Sequence, residues 1–375
     1  MNIKVTNKLI KMAITIFLLS TGISLCADIN QEGGKFKPVP STNTEDILNM
    51  ISMEVHSNYK KIKTWQGKSK STFESVYEGE KAKNIFFSQT IGKGQAPHKL
   101  MRQAEKNDNF FIDVENDKLS VSFNYIGPSI FIDMEKGKTI EAKSIHLPKS
   151  FIVTSDYYIS SRPYRLRDGI ILTRKAFKEK LPKDKMKCAG ILGEIFDPRK
   201  IFLREKPIWE TLPIVIEHIK NHGDIRVNGL SVKVDEYKNG DVTEYRLQMP
   251  GFIGPEEYIV KYIYFSSRCG FNISVIEVFD QSDKILHRKT IEYDLYEGIY
   301  IPKLFIEENH TYLKDGAKNS RKKTISLKEQ KVNSLIPENM FTYKKLGLQN
   351  NDIFIDNIQG VKYKYNEGNL VPIND

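Results

Sequence analysis

The sequence predicts a mainly β (α+β) protein built on a curved antiparallel sheet, or incomplete barrel, covered by a few helices. Three observations carry this. Between Ile225 and Lys331, turn signals at Asn239-Gly240, Cys269-Gly270, Gln281-Ser282-Asp283, Glu297-Gly298 and Asp315-Gly316 separate runs rich in Val, Ile, Tyr and Phe, the pattern of a hairpin-linked meander. An earlier group of strand segments includes Lys118 to Phe123, where Leu119, Val121 and Phe123 point one way and Ser120 and Ser122 the other. Between the two groups the chain reads as helical, and a sheet with one apolar face needs such a cover.

Taken in order, residues 1–27 read as a signal peptide. Lys4, Lys8 and Lys11 form a positive start, Met12 to Leu19 form a short apolar core, and cleavage is expected after Ala27. The apolar run is too short for a permanent bilayer anchor, so a periplasmic or extracellular protein is expected. Cys26 raises the rival reading of a lipid anchor, but bulky Leu25 sits where the processing peptidase wants a small residue. Residues 28–43 form a polar leader, serving as a tether or a loose N-terminus.

A main domain is expected over 44–331, with a helical insert at about 175–223 and a C-terminal extension, 332–375, packed on it. Thr42-x-x-Glu45 has capping-box spacing, and Ile47, Met50, Ile51 and Val55 then recur at helical spacing. Strands are expected from Trp65 to Tyr77, Asn84 to Ile91, Lys99 to Glu105, Phe110 to Val114, Lys118 to Phe123 and Phe151 to Ser160. In the insert, Asp197-Pro198 reads as a helix start. Thr211 reads as the cap of a helix with the stripe Leu212, Val215, Ile216 and Ile219, ending at Gly223.

In Tyr258 to Phe265 both faces are apolar or aromatic: Ile259, Ile263 and Phe265 on one, Tyr258, Val260, Tyr262 and Tyr264 on the other. This suits a central strand packed on both sides, or a wall between a core and an apolar cavity. Lys289, Ile291, Tyr293 and Leu295 repeat the pattern against Glu292 and Asp294.

The chemistry of a catalyst is missing. No Gly-x-Ser-x-Gly elbow, phosphate-cradling glycine loop or His-Glu-x-x-His pair occurs. His218 and His222 lie four apart on a predicted helix, but His222 falls in the last turn, where the helix dipole favours an imidazole. No metal and no cofactor are expected. Adjacent carboxylates such as Glu256-Glu257 and Glu307-Glu308 point to opposite faces of a strand and do not converge. Arg162, Arg165 and Arg167 could bind a carboxylate or phosphate, although such a segment is more often a surface loop. The chain carries 57 basic and 47 acidic residues, net +10; removing the three signal lysines leaves +7. That mild, mixed charge speaks against a nucleic-acid site. Cys188 and Cys269 could pair in an oxidising compartment.

Three stretches carry a resemblance: Asp46-Ile47-Leu48 through Lys63-Thr64-Trp65-Gln66-Gly67; the long pair from Gly270 to Phe305; and the close, from Val332 to Gly347 and Asn351 to Gly360. They resemble large secreted bacterial proteins grouped with the outer-membrane lipoprotein carrier (lipoprotein-sorting, LolA/LolB-like) superfamily, over the N- and C-terminal thirds. The resemblance implies a strongly curved antiparallel half-barrel closed by helices, whose interior takes lipoprotein acyl chains. It also implies a cavity arginine, for which Arg102, Arg246 and Arg268 are the candidates. This chain is much longer than the dedicated carriers.

The expectation is therefore a non-enzymatic periplasmic protein that binds a lipid, acyl chain or lipoprotein. The ligand-binding wall would be Leu119, Val121, Phe123, Ile259, Ile263, Phe265, Ile291, Tyr293 and Leu295. Membrane contact would be peripheral at most. The alternative is an envelope sensor or assembly module that binds a protein partner through a sheet edge or apolar patch, with Phe341, Leu346, Ile353, Ile355 and Tyr363 of the tail as a contact element.

Overall fold

The structure is a computed structural model that describes residues 36–373, apart from 90–94, 117, 126–129, 142–148, 168–169, 182–207, 223–231, 253–257 and 314–316. The described helices are α1 (Ser41–Lys60), α2 (Gly79–Gln89) and α3 (Ile208–His222). The strands are β1 (Lys37–Pro38), β2 (Thr64–Glu78), β3 (Lys99–Asp113), β4 (Lys118–Tyr125), β5 (Ile130–Asp133), β6 (Lys138–Glu141), β7 (Lys149–Val153), β8 (Tyr157–Arg167), β9 (Ile170–Lys180), β10 (Lys233–Asn239), β11 (Val242–Phe252), β12 (Tyr258–Ser266), β13 (Ile273–Asp280), β14 (Ile285–Tyr296), β15 (Ile299–Tyr312), β16 (Lys318–Val332), β17 (Ile353–Asp356), β18 (Val361–Asn366) and β19 (Asn369–Pro372).

All of them join one open sheet. The meander β10 to β16 forms as its turns require; at Glu297-Gly298 both residues have positive φ, 50° and 76°, as a tight hairpin turn demands. β16 then pairs with β2, opposing Ile325 to Ser71 and Thr324 to Thr72. That pairing joins the two strand groups, and the sheet continues through β3, β4, β7, β8 and β9. It is antiparallel except where β17 runs parallel to β9.

One face carries the main core. Trp65, Phe110, Leu119, Phe151, Leu247, Ile263, Ile276, Ile291, Phe305 and Ile325 belong to a single buried cluster with Leu48, Ile51 and Val55 of α1 and Leu212, Val215 and Ile216 of α3. With Val234 of β10, the cluster draws on eleven neighbouring strands, β10 to β16, β2 to β4 and β7. Laid flat, such strands would span about 48 Å at roughly 4.8 Å apiece, far wider than two helices of about 10 Å diameter. One cluster reaches them all because the sheet curls around the helices. We call this helix-covered side the inner face.

Several local expectations are corrected. Of the strand expected over Asn84 to Ile91, the described residues, 84–89, are helical and belong to α2, where Ala82 and Phe86 bury against Tyr77, Leu100 and Phe131. α1 starts at Ser41 behind Pro40 with no side-chain cap, so the Thr42 capping box does not form, and its buried line is Leu48, Ile51, Val55 and Tyr59. Phe151 to Ser160 is two strands, because Thr154 Oγ1 accepts from the Asp156 and Tyr157 N–H groups and turns the chain. α3 begins at Ile208, so Thr211 lies inside it, and residues 175–180 are strand rather than insert. The leader is docked in part: β1 pairs with β10, and the Phe36 ring lies 5.8 Å from that of Tyr264. Residues 1–27, Cys188 and Asp197-Pro198 lie outside the described residues.

The tail adds a second, smaller core on the far side of β7 to β9. Ile336, Phe341, Leu346, Leu348 and Phe354 pack with Ile152, Ile159 and Ala176. Phe341 and Leu346 are buried, whereas Ile353, Ile355 and Tyr363 are half-buried.

Candidate functional site

The inner face is zoned. Under α1 and α3 it is apolar, and β-strand alternation brings Ile325, Phe305 and Ile291 side by side on β16, β15 and β14. The two helices that cover it are held differently. Asn58 of α1 is almost fully buried; its amide donates to Tyr300 O at 2.9 Å and accepts from Tyr300 N–H at 2.7 Å. This fastens α1 to β15. α3 leans on α1 through a Ser52 hydroxyl donating to Trp209 O at 3.3 Å and through the Trp209 ring, stacked 5.6 Å from His56 and tilted 5.1 Å from Tyr59.

At the α1–α3 seam lies a recess of about 150 Å³ lined by His56, Tyr59, Lys60, Ile62, Val114 and Trp209. Tyr59 and Ile62 belong to the main core, and Val114 and Trp209 pack against it, so the recess abuts the apolar zone. A larger recess, about 300 Å³, lies between β8, β9 and the tail, walled by Tyr157, Tyr343, Phe354 and Tyr363. The Lys178 ammonium sits there, 3.0 Å from Asp356 and 4.8 Å from the centre of the Tyr157 ring.

Two residues further along the strands, the inner face changes character. Lys323, Glu307 and Lys289 occupy directly opposed positions on β16, β15 and β14. On β3 the same face presents Lys106 and Asp108. Asp108, 3% exposed, accepts at Oδ2 from Lys106 Nζ at 3.1 Å and from Ser69 Oγ at 3.2 Å. Burial pushes the Asp108 carboxyl up, against the pull of Lys106, the Ser69 hydroxyl and Lys323. Burial pushes the Lys289 ammonium down, opposed by Glu307 and assisted by Lys323. Lys323 acts on both groups.

Of the predicted wall, Leu119, Val121, Ile263, Phe265, Ile291 and Tyr293 come together in the main core. Ile259 is only half-buried, and Leu295 is 62% exposed, because it lies past the covered zone beside the β14–β15 turn. The Phe123 side chain lies outside the described residues; its backbone pairs with Asp108. Among the candidate arginines, Arg102 shares the inner-face parity of β3, while Arg246 points to the opposite face, where it holds Asp235 at 2.6 Å. Arg268 sits in the turn between β12 and β13.

The seam residues and the lysine row were missed. The seam combines distant segments and leaves no local signal. The lysines did leave one: Lys289 shares strand parity with Ile291, and Lys261 with Ile263. Cys269 is fully buried, its thiol 3.4 Å from the carbonyls of Ser266 and Asn272. Among the described residues no group of three or more His, Cys, Asp or Glu could hold a metal ion, and no helix is long and apolar enough to cross a membrane. The side chains of His218 and His222 lie outside the described residues, as do those of Arg165 and Arg167.

No family model matches the sequence, and no curated protein does. Among solved structures, the chain is similar to a DUF1329 family protein from Desulfovibrio piger, at 8% identity over 80% of this chain and 98% of that one, with a TM-score of 0.31. It is also similar to a domain from Vibrio parahaemolyticus described as outer membrane lipoprotein-sorting, at 10% identity over 79% of this chain and 97% of that one, with a TM-score of 0.27.

Proposed function

We propose that this protein is a non-enzymatic, carrier-like protein of the cell envelope. It holds a lipid, an acyl chain or the lipid part of a lipoprotein between the inner face of its sheet and the helices α1 and α3. The observation that carries this reading is the seam recess, where Tyr59 and Ile62 belong to the apolar layer that spans eleven strands and Val114 and Trp209 pack against it.

Size decides how such a site would work. A cavity of about 150 Å³ accommodates a benzene-sized guest, whereas ligand pockets run from about 300 to 1,000 Å³. A long chain therefore enters only if a helix gives way. α1 is fastened to β15 through both polar atoms of the Asn58 amide, so α3 is the element that moves. The seam is then the mouth, and the apolar rows of β14 to β16 receive the chain. Export through residues 1–27 places the carrier in the periplasm or outside the cell.

Native mass spectrometry of the purified protein, with solvent extraction of anything that co-purifies, tests this. Bound lipid, or saturable uptake of an added C12 to C16 chain, is the expected result. A protein that is empty and takes up neither fatty acid nor fatty alcohol would refute it and shift the reading to contact with a protein partner.

A further inference from the structure

The recess between β8, β9 and the tail shares no lining residue with the seam between α1 and α3. Strand register builds it. Ile159 on β8, Lys178 on β9 and Asp356 on β17 stand in line. Two residues earlier on β8 and β17 come Tyr157 and Phe354, on the same face by strand alternation. Phe354 pairs in turn with Tyr363 on β18. The short helical turn Tyr343–Leu346 closes the other side with the Tyr343 ring.

The wall is aromatic but not sealed. Tyr157, Tyr343 and Tyr363 are half-buried, whereas Phe354 is buried. Tyr343 meets Phe354 edge-on at 6.0 Å, and Phe354 meets Tyr363 edge-on at 6.1 Å. Such contacts cover the face of one ring only. The hydroxyls of Tyr157 and Tyr343 meet no protein group among the described residues, and neither is sealed from solvent. One ion pair is set into this wall. Lys178 Nζ donates to Asp356 Oδ2 at 3.0 Å and stands 4.8 Å from the centre of the Tyr157 ring. Asp356 Oδ1 accepts from the Ile358 and Gln359 N–H groups at 2.9 and 3.1 Å. An ammonium has three donors, and among the described residues Lys178 donates to Asp356 alone.

These features select a ligand by charge and by surface. A second cation is repelled, since the Lys178 ammonium already occupies the Tyr157 ring. An anion meets Asp356 together with Lys178, a pair with no net charge. A purely apolar guest would strip water from the ammonium and the tyrosine hydroxyls and put nothing in its place. A proline-rich peptide, the other neutral ligand of aromatic grooves, lies extended along its groove, whereas this recess is compact, about 300 Å³, at the lower end of ligand pockets. A sugar ring meets every condition. It is neutral, its C–H groups suit the negative faces of aromatic rings, and its hydroxyls both accept and donate hydrogen bonds.

We propose that the tail recess binds a neutral sugar unit of a glycan, with Tyr343 and Tyr363 as stacking walls and Lys178 as a hydrogen-bond donor. This does not rest on the carrier reading, and either can fail without the other. Titration calorimetry and saturation-transfer NMR on the purified protein test it with maltotriose, cellotriose and triacetylchitotriose, alongside a proline-rich peptide. At least one trisaccharide is expected to bind saturably at millimolar concentration, and which one does distinguishes a plain sugar from an N-acetylated one. Tyr343→Leu, which keeps an apolar wall but removes the ring and its hydroxyl, should weaken binding tenfold or more. Leu370→Trp, which adds volume from the recess wall, should abolish it. Phe87→Leu, at an exposed ring on α2, should change nothing. If Tyr343→Leu does not fold, Leu370→Trp supplies the same reading, because it fills space that is open. Failure of all three trisaccharides to bind, binding of the peptide in their place, or an affinity that survives both recess substitutions would overturn the inference and leave acyl-chain uptake untouched.

Discussion

Gly67 lies on β2 directly opposite Phe110 of β3, and the Phe110 ring, fully buried, covers it. A Cβ at position 67 would stand 3.0 Å from Phe110 Cζ and 3.1 Å from Lys328 O, both well inside the roughly 3.5–4.0 Å of comfortable contact. The ring cannot swing away, since it packs edge-on against Trp65 with centroids 5.7 Å apart. The carbonyl cannot retreat either, because Lys328 pairs with Lys68 in the ladder. Gly67→Ala should therefore behave as overpacking and cost about 2 kcal/mol, within the ~1–3 kcal/mol typical of an inserted methyl. Phe110→Leu removes Cζ and makes room for the new methyl. In that background Gly67→Ala should cost less, with a coupling of about 1 kcal/mol between the two sites. Urea denaturation of the four proteins of this cycle measures both numbers. A cost below ~0.5 kcal/mol for Gly67→Ala, or additivity within ~0.3–0.5 kcal/mol, would show that the ring is not fixed as argued.

Asn58→Leu should destabilise by about 2–3 kcal/mol, since it strands the Tyr300 N–H and C=O; hydrogen exchange should speed up across α1, and unchanged exchange there would remove the argument that α1 is the fixed helix. Burial alone would raise the Asp356 carboxyl, but the Lys178 ammonium and the backbone N–H groups of Gln359 and Ile358 outweigh it and hold it below the usual carboxylate range. Its stabilising contribution is thus complete above the unfolded-state value, near pH 4, and is lost as the pH falls through the lower folded one. Asp356→Asn should weaken the protein at pH 7, with a loss that shrinks as the pH falls through the lowered folded value, and a loss in urea that does not change with pH would contradict this. Lys289 is depressed first by burial. Its charge therefore opposes folding at neutral pH, and the cost is relieved only as the pH rises through its folded value toward the unfolded one. Lys289→Met should raise the melting temperature at pH 7, and a lower one would mean that the row is structural.

The hairpins were legible because their signals are local. Glu297-Gly298 is the two-residue turn between β14 and β15, the turn signalled at Asn239-Gly240 forms one residue later at Gly240-Asp241, and a turn fixes the register of the strands it joins. Where competing local signals meet, long-range packing decides. Asn84 to Gln89 has β-prone residues, yet Ala82 and Phe86 fall one helical turn apart and find a core at Phe131 and Leu100. The break at Thr154 depends on a hydroxyl that turns the chain within a run of strand formers. Six of the nine residues expected to form the wall share the main core because they are apolar at period two. Leu295 fits the same pattern and failed because the covered zone ends before it reaches that position.

The sequence by itself determined that this chain makes an antiparallel sheet with an amphipathic cover, since turn dipeptides and strand alternation act over a few residues. Only the tertiary structure decided which of two apolar parities would face the helices. A period of two leaves the faces of a strand such as Tyr258 to Phe265 equivalent until its neighbours are placed. Bulges at Tyr264/Phe265, Val278/Phe279 and Glu292/Tyr293 then shift the register between strands. The pairing of β16 with β2, the parallel docking of β17 on β9 and the gathering of Lys106, Lys289 and Lys323 on one interior face are all products of contacts between distant segments. No local pattern encodes them, because the free energy that selects them exists only once the sheet has curled around α1 and α3.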